Sequence, residues 1–339
     1  MAAAKSRYLC AALATVSLLF GWSAADAADT VRVGVFQSIS DAGFYIAKDK
    51  GYFAEEGLDV ELQRVNSSSM VTTALASGDL DVSGGSPSAS AYNAIRQGVP
   101  IQIVADKGGS KPGHGYLAFM VRKDLAGKIT KAADLRGKTV AVTGYLAGSS
   151  NGVTLHHLLS SGGVKESDVK IVAMAFPDIL TSLGTGNIDV GMLIEPLVTL
   201  AVEKGVAKIW KRVDEVYPSQ QYAAVLYGPG ITKRPDVANR FMTAYLKGVR
   251  FYNDALSGKI PRKELIDILT KNTSVKNAAL YDKMAMPSLD PNGKLNVKGM
   301  EADMKWFVKA GRMKAPVDMK KVVDTSYVDA AVRKIGVYK

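Results

Sequence analysis

The chain is predicted to fold as α/β, in two similar lobes, and three observations carry that prediction. Short apolar strands alternate with helical stretches at the spacing of a parallel sheet with crossover helices. The same plan then returns later in the chain. The repeat extends to a motif: "LASGDLDVSGGSP" near Gly78 has its counterpart in "LGTGNIDVGMLIEP" near Gly186. Each carries Gly-x-(Leu/Ile)-Asp-Val, then a proline at a helix start, then Gly-Val, at Gly98-Val99 and Gly205-Val206.

The elements follow in order. Val31 to Val35 alternates as a strand that ends at Phe36-Gln37-Ser38. Ser40 or Asp41 caps the next helix, and Gly51 ends it in the left-handed conformation. Leu58, Val60 and Leu62 alternate with polar residues as a strand with one wet face. A helix from Met70 to Ser77 stops at Gly78, and a strand covers Leu80 to Ser83. The Gly-Gly-Ser-Pro corner opens a helix over Pro87 to Gln97, with proline at its first position. The second unit starts with "KTVAVTGYLAGSSNGVTLHHLLSSGG", read as strand, loop, helix and glycine stop, and "DVKIVAM" is its next strand. Beyond Pro235 the chain is helix-rich, over Val237 to Asp254, Lys263 to Lys271, and Val297 to Ala310 capped by Asn296. A turn at Asp290-Pro291-Asn292-Gly293 separates the last two.

Two stretches are natural crossovers between lobes, "GYLAFMVRKDLAGKITKAADLRGK" and the strand "YAAVLYGPG" from Tyr222. The expected organisation is therefore a leader over 1–27, lobe 1 over 28–125, lobe 2 over 126–222, and a return to lobe 1 over 223–339.

The leader reading rests on Lys5 and Arg7, the apolar run Leu9 to Trp22, and Ala25-Asp26-Ala27 as a small-x-small cleavage pattern. Cleavage there would export the protein to the periplasm and remove Cys10, the one cysteine of the sequence. Disulfides, a thiol nucleophile and cysteine-ligated zinc are then excluded. The formal charge is +11 over 339 residues, but the lysines are spread along the chain without a run of five or six. A solvated basic surface is expected, and no nucleic-acid partner.

"AGFYIAKDKGYFAEEGLDV" from Ala42 to Val60 resembles the opening motif of the substrate-binding proteins of bacterial ABC importers. The resemblance is narrowest to the subfamily of alkanesulfonate-, taurine-, nitrate- and thiamine-precursor-binding proteins. "ASGDLDV", "DLRGKTVAV", "GNIDV" and Glu195-Pro196 match its later landmarks in order, over nearly the whole chain after the leader. It implies a type II-like periplasmic-binding-protein fold, two lobes joined by two crossovers, and a monomer that hands a small molecule to an inner-membrane ABC permease. The ligand classes it leaves open are a sulfonate, a carboxylate, a zwitterion or a nitrogen heterocycle. No cofactor, metal or catalytic residue is expected.

Ligands of open α/β sheets bind beyond the carboxyl ends of the strands. That rule selects Gln37, Ser38, Asp41, Phe44, Tyr45 and Ser86 in lobe 1. In lobe 2 it selects Tyr145, Ser149, Ser150, Asn151, Phe176, Asp178 and Glu195. Tyr52 and Phe53 follow the helix at the far edge and are expected in the core. Ser149-Ser150-Asn151-Gly152 opens a helix whose free amides suit an anion, or it is an ordinary cap. Glu195 either places favourable charge at a helix start or accepts a hydrogen bond from a cationic ligand. Asp178 fits a cap better. These loops lack arginine, so an anion would rest on backbone dipoles and hydroxyls.

His114, His156 and His157 are read as structural or surface residues, since adjacent histidines on a helix point in different directions. GxSxG, HExxH, phosphate-loop and dinucleotide motifs are missing from the sequence. The alternatives to a solute receptor are an enzyme on the same fold, as in the eukaryotic thiamine-pyrimidine synthases, or a solute sensor for a membrane receptor.

Overall fold

The computed structural model describes residues 27–339, so the expected leader up to Asp26, with Cys10, lies outside the described residues. In lobe 1, β1 (Asp29–Val35) alternates so that Val31 and Val33 are buried, and it pairs in parallel with β2 (Leu58–Arg64), Val31 beside Val60. Between them lie α1 (Ala42–Asp49) and the short α2 (Tyr52–Glu55). α3 (Ser68–Ser77), capped by Ser67, leads to β3 (Val82–Gly85) and then to α4 (Ala89–Arg96). The proline expected at the first position of α4 stands two residues outside it. Ser88 is the cap, its side chain accepting from the Ala91 amide. Serine at that position offers the oxygen that proline lacks.

β4 (Gln102–Gly109) completes the first sheet, in the order β2-β1-β3-β10-β4, where β10 (Gln221–Tyr227) is antiparallel to both neighbours. The second sheet runs β7-β6-β8-β5-β9. It contains β5 (Leu117–Arg122), β6 (Thr139–Val142), β7 (Lys170–Ala173), β8 (Val190–Ile194) and β9 (Ala207–Arg212). Around it pack α5 (Ser150–Ser161), α6 (Phe176–Thr185), α7 (Leu197–Glu203) and the short α8 (Val213–Val216). Each five-stranded sheet thus holds four strands of one direction and one antiparallel strand, β10 in the first sheet and β5 in the second.

The first crossover therefore precedes residue 117, which corrects the lobe boundary expected after 125. β5 pairs with β8 and β9, Phe119 beside Met192. Its residues from Leu117 to Val121 are buried, as an interior strand requires, but an all-apolar string does not say which sheet will take it. The boundary expected after 222 falls inside β10. The remaining helices are α9 (Pro229–Thr232), α10 (Pro235–Leu256), α11 (Arg262–Asn272), α12 (Val297–Lys309), α13 (Met319–Val322) and α14 (Ser326–Ile335). α10 lies across α1 and α14 and supplies Phe241, Tyr245 and Val249 to the lobe 1 core.

Candidate ligand-binding site

The carboxyl ends of β1, β3, β6 and β8 meet between the lobes around a cavity of about 40 Å³. Lobe 1 lines it with Phe36, Ser38, Ser40, Ser68, Ser86 and Lys107; lobe 2 with Leu117, Thr143, Asn151, Phe176 and Ile194; the crossovers with Tyr116 and Tyr222. The lobes touch beside it, where the Ala89 amide donates to the Gly148 carbonyl at 2.8 Å and the Ile39 amide to the Glu195 carbonyl at 3.2 Å.

Lys107 supplies the cation that the arginine-free loops lack. It sits in β4, almost fully buried, with Nζ 2.8 Å from Asp41 Oδ1 and donating to Ser40 Oγ at 2.9 Å. An ammonium has three donors, so one remains for the cavity. Its stem lies over β3, where a Cβ on Gly84 would stand 2.0 Å from Lys107 Cε. Gly84 is therefore required for the lysine to reach the cleft. The signal was present in "IVADKGG": a lysine inside an otherwise buried strand needs a partner, and Asp41 is that partner.

Of the residues selected from sequence, Ser38, Ser86, Asn151 and Phe176 line the cavity. Asp41 stands behind Lys107. Its Oδ2 accepts from the amides of Phe36 and Ser38, both at 3.0 Å, and from Ser38 Oγ at 3.1 Å, which fixes the loop after β1. Gln37, at φ +56°, belongs to an adjacent groove with Pro196 and Leu197. Ser149 Oγ donates to the Thr143 carbonyl, as does the Asn151 side-chain amide. Ser150 is buried against Ser86.

The other five selected residues lie away from the lining of this cavity. Phe44 is fully buried against α10, 4.9 Å from the Tyr245 ring, and Tyr45 is buried beside it with its hydroxyl toward Asp41. A 3-10 turn over Ile39–Asp41 precedes α1 and rotates its first residues into the core instead of the cleft. Tyr145 gives its hydroxyl to Glu166 and its ring face to Arg312. Asp178 is exposed in the first turn of α6. Glu195 is buried and turned onto α7: its carboxylate accepts from the Thr199 amide at 3.0 Å, the Thr199 hydroxyl at 3.1 Å and the Ala285 amide at 3.4 Å. Burial raises the Glu195 carboxyl above its ordinary range, against the pull of those hydrogen bonds and of Arg212. It is a helix cap.

The histidines have structural partners: His114 Nδ1 meets the Met286 carbonyl, His156 meets Glu166, and His157 stacks on Tyr217. At the crossovers two more carboxyls are buried. Burial pushes Asp106 up to about 6, with Gln221 as a donor, and Asp303 up to about 8, with Gln220 as a donor. In the cavity wall, Thr143 Oγ1 is buried without a hydrogen-bond partner.

Two α/β lobes, two crossovers and a cavity at the strand ends between them make the architecture of the periplasmic ligand-binding proteins. The chain belongs to the NMT1/THI5-like family, which it matches over residues 38–254. It is 25% identical over 326 residues to a putative aliphatic sulfonates-binding protein of Bacillus subtilis, covering 90% of this chain and 88% of that one. It is 31% identical over 182 residues to the taurine-binding periplasmic protein of Escherichia coli, about half of each chain at 52%. Among solved structures, the periplasmic nitrate-binding protein of Synechocystis superposes with a TM-score of 0.76 at 15% identity, covering 92% of this chain and 90% of that one. The desulfurization enzyme DSZB superposes at 0.62 and 15% identity, covering 91% and 99%.

Proposed function

We propose that the protein is a monomeric solute receptor of an ABC importer, exported to the periplasm by a cleaved leader, that holds a small acidic molecule between its lobes. The observation that carries this reading is one cavity lined from both lobes, with the Lys107 ammonium on one wall and Asn151 and an unpartnered Thr143 hydroxyl on the other. A ligand bridging those groups gains contacts only when the lobes are closed, which is what couples binding to hinge motion. Phe36, Phe176 and Ile194 offer an apolar wall for the rest of the molecule. The sulfonate, taurine and nitrate named for its relatives suit an acidic end at Lys107. A cationic nitrogen suits it less, because the Glu195 carboxylate is already taken by Thr199 and by the Ala285 amide.

The shared fold of a desulfurization enzyme keeps catalysis as the competing reading. The titratable cavity groups are Lys107, Tyr116 and Tyr222, and burial raises both tyrosines, so neither is poised for proton transfer near neutral pH. That favours binding.

The test starts from the solute that co-purifies, identified by mass spectrometry, and proceeds by titration calorimetry. The double change Lys107→Met with Asp41→Asn removes the buried pair without stranding a charge. It is expected to weaken binding of the acidic solute by about 1.5–3 kcal/mol, a ~10- to 150-fold loss. Unchanged affinity in a folded double variant would overturn the placement, and turnover of the solute would replace the receptor by an enzyme.

A further inference from the structure

A groove opens beside the cavity, and the two share the side chains of Phe36, Phe176 and Ile194 as a common wall. Like the cavity, the groove is built from both lobes. Gln37, Arg64 and Asn66 come from lobe 1, and Pro177, Pro196 and Leu197 from lobe 2. Arg64 is the last residue of β2, so the groove gathers a strand end that does not reach the cavity.

The wall is fixed from behind. Gln37 stands at φ +56°, a conformation that is costly for a residue with a side chain. Asp41 Oδ2 accepts from the amides on either side of it, at Phe36 and Ser38. The other oxygen of that carboxylate lies 2.8 Å from Lys107 Nζ. One buried acid therefore sets both the cation of the cavity and the position of the aromatic ring beside it. Phe36 is only half-buried, so its ring keeps a surface for something to lie against.

Lys107 lines the cavity but not the groove, and Arg64 lines the groove but not the cavity. Arg64 Nε donates to Asn66 Oδ1 at 3.1 Å, and the guanidinium pairs with no carboxylate among the described residues. A guanidinium carries five N–H donors in a fixed fork, so most of them are left to a ligand. The order across the cleft is thus a cation, an apolar wall and a second cation. A solute with one acidic end leaves Arg64 idle, whereas one with an acid at each end of an apolar body meets both.

We infer that Arg64 is a specificity-determining residue and that the solute is a diacid, whose two acidic groups are separated by a flat or extended apolar body lying against Phe36. The inference rests on the receptor reading and deepens it by naming the solute class for that cleft. Arg64 is exposed, so solvent screening keeps its effect to a modest factor, about fivefold in affinity.

The test takes protein freed of solute by unfolding, washing and refolding, and titrates it with matched probes: benzoate against terephthalate, and hexanoate against adipate. In the wild type, the diacid of at least one pair is expected to bind about fivefold tighter than its monoacid, beyond the statistical gain of two equivalent ends. Added salt should shrink that gain. Arg64→Gln is expected to abolish it while monoacid affinity and the melting temperature hold, and Arg64→Lys, which keeps the charge, should retain part of it. A diacid gain no larger than the statistical one in both pairs overturns the inference. So does a preference that survives Arg64→Gln, or a failure of all the probes to bind. A monoacid that binds, and is weakened by the double change Lys107→Met with Asp41→Asn, without any gain from the second acid, removes the diacid and leaves the receptor reading standing.

Discussion

The starts of α4 and α7 are the same place in the two copies of the repeated motif, and they are finished in opposite ways. Both follow a strand introduced by Gly-x-(Leu/Ile)-Asp-Val, and both stand beside a proline. At α7, Glu195 folds back onto its own helix and takes the Thr199 amide. At α4, Ser88 caps a single amide and two others go to the opposite lobe. The difference lies in reach. The glutamate takes the Thr199 amide and hydroxyl of its own helix and reaches the Ala285 amide of lobe 1 at 3.4 Å, whereas the short serine takes one amide and leaves two others to the opposite lobe. The α7 end is held mainly from within its own lobe, and the α4 end is completed by carbonyls of the opposite lobe.

Glu195→Ala tests the self-capped end and carries the largest expected effect. It strands the Thr199 and Ala285 amides and should cost about 2–3 kcal/mol of stability. Solute affinity of the folded fraction should not change. A melting curve beside a titration checks both. If affinity fell while the melting temperature held, Glu195 would belong to the cleft after all and the contrast would collapse.

How far the sequence disclosed this arrangement depends on whether a property is periodic or relational. The strands of lobe 1 are visible in the alternation of Val31, Val33, Val60 and Leu62, and the repeat is visible in its motif. The sheet that β5 joins is not, because Leu117 to Val121 is apolar on both faces and would suit either. The strand-end rule found Ser38, Ser86, Asn151 and Phe176. It misplaced Phe44 and Tyr45 because one 3-10 turn rotates α1, and rotation about a helix axis is not encoded in distance along the chain. Lys107 lies in the segment after Asp106, and its role was not legible because a lysine inside a strand reaches the cleft only where Gly84 leaves room for its stem.

Asp303 sharpens the contrast between buried acids. Glu195 accepts three donors at its carboxylate, whereas Asp303 accepts from Gln220 on one oxygen and leaves Oδ1 without a partner. Burial pushes its carboxyl up to about 8. The folded protein therefore holds a proton that the unfolded chain releases near pH 4. Stability from this group is fully present below that value and is lost as pH rises toward 8, by at most about 1.4 kcal/mol per pH unit. Melting temperatures between pH 6 and 7 should fall in the wild type and fall less in Asp303→Asn. Parallel slopes would show that Asp303 is ionised throughout.

The smallest effect isolates the two kinds of cap within a single helix. Ser88→Ala removes the hydroxyl that α4 receives from its own lobe and leaves the Gly148 and Ala147 carbonyls in place. The expected loss of stability is about 1 kcal/mol, typical of a serine cap. Because the lost bond is internal to lobe 1, it exists whether the cleft is open or shut, so solute affinity should equal that of the wild type. Ser86→Ala, two residues earlier, should show the reverse: weaker solute binding with little thermal loss. The pair of variants differs only in which lobe receives the oxygen. If Ser88→Ala also weakened solute binding, the first turn of α4 would be acting as one unit, and the separation of stabilising from closing contacts would not hold at that helix end.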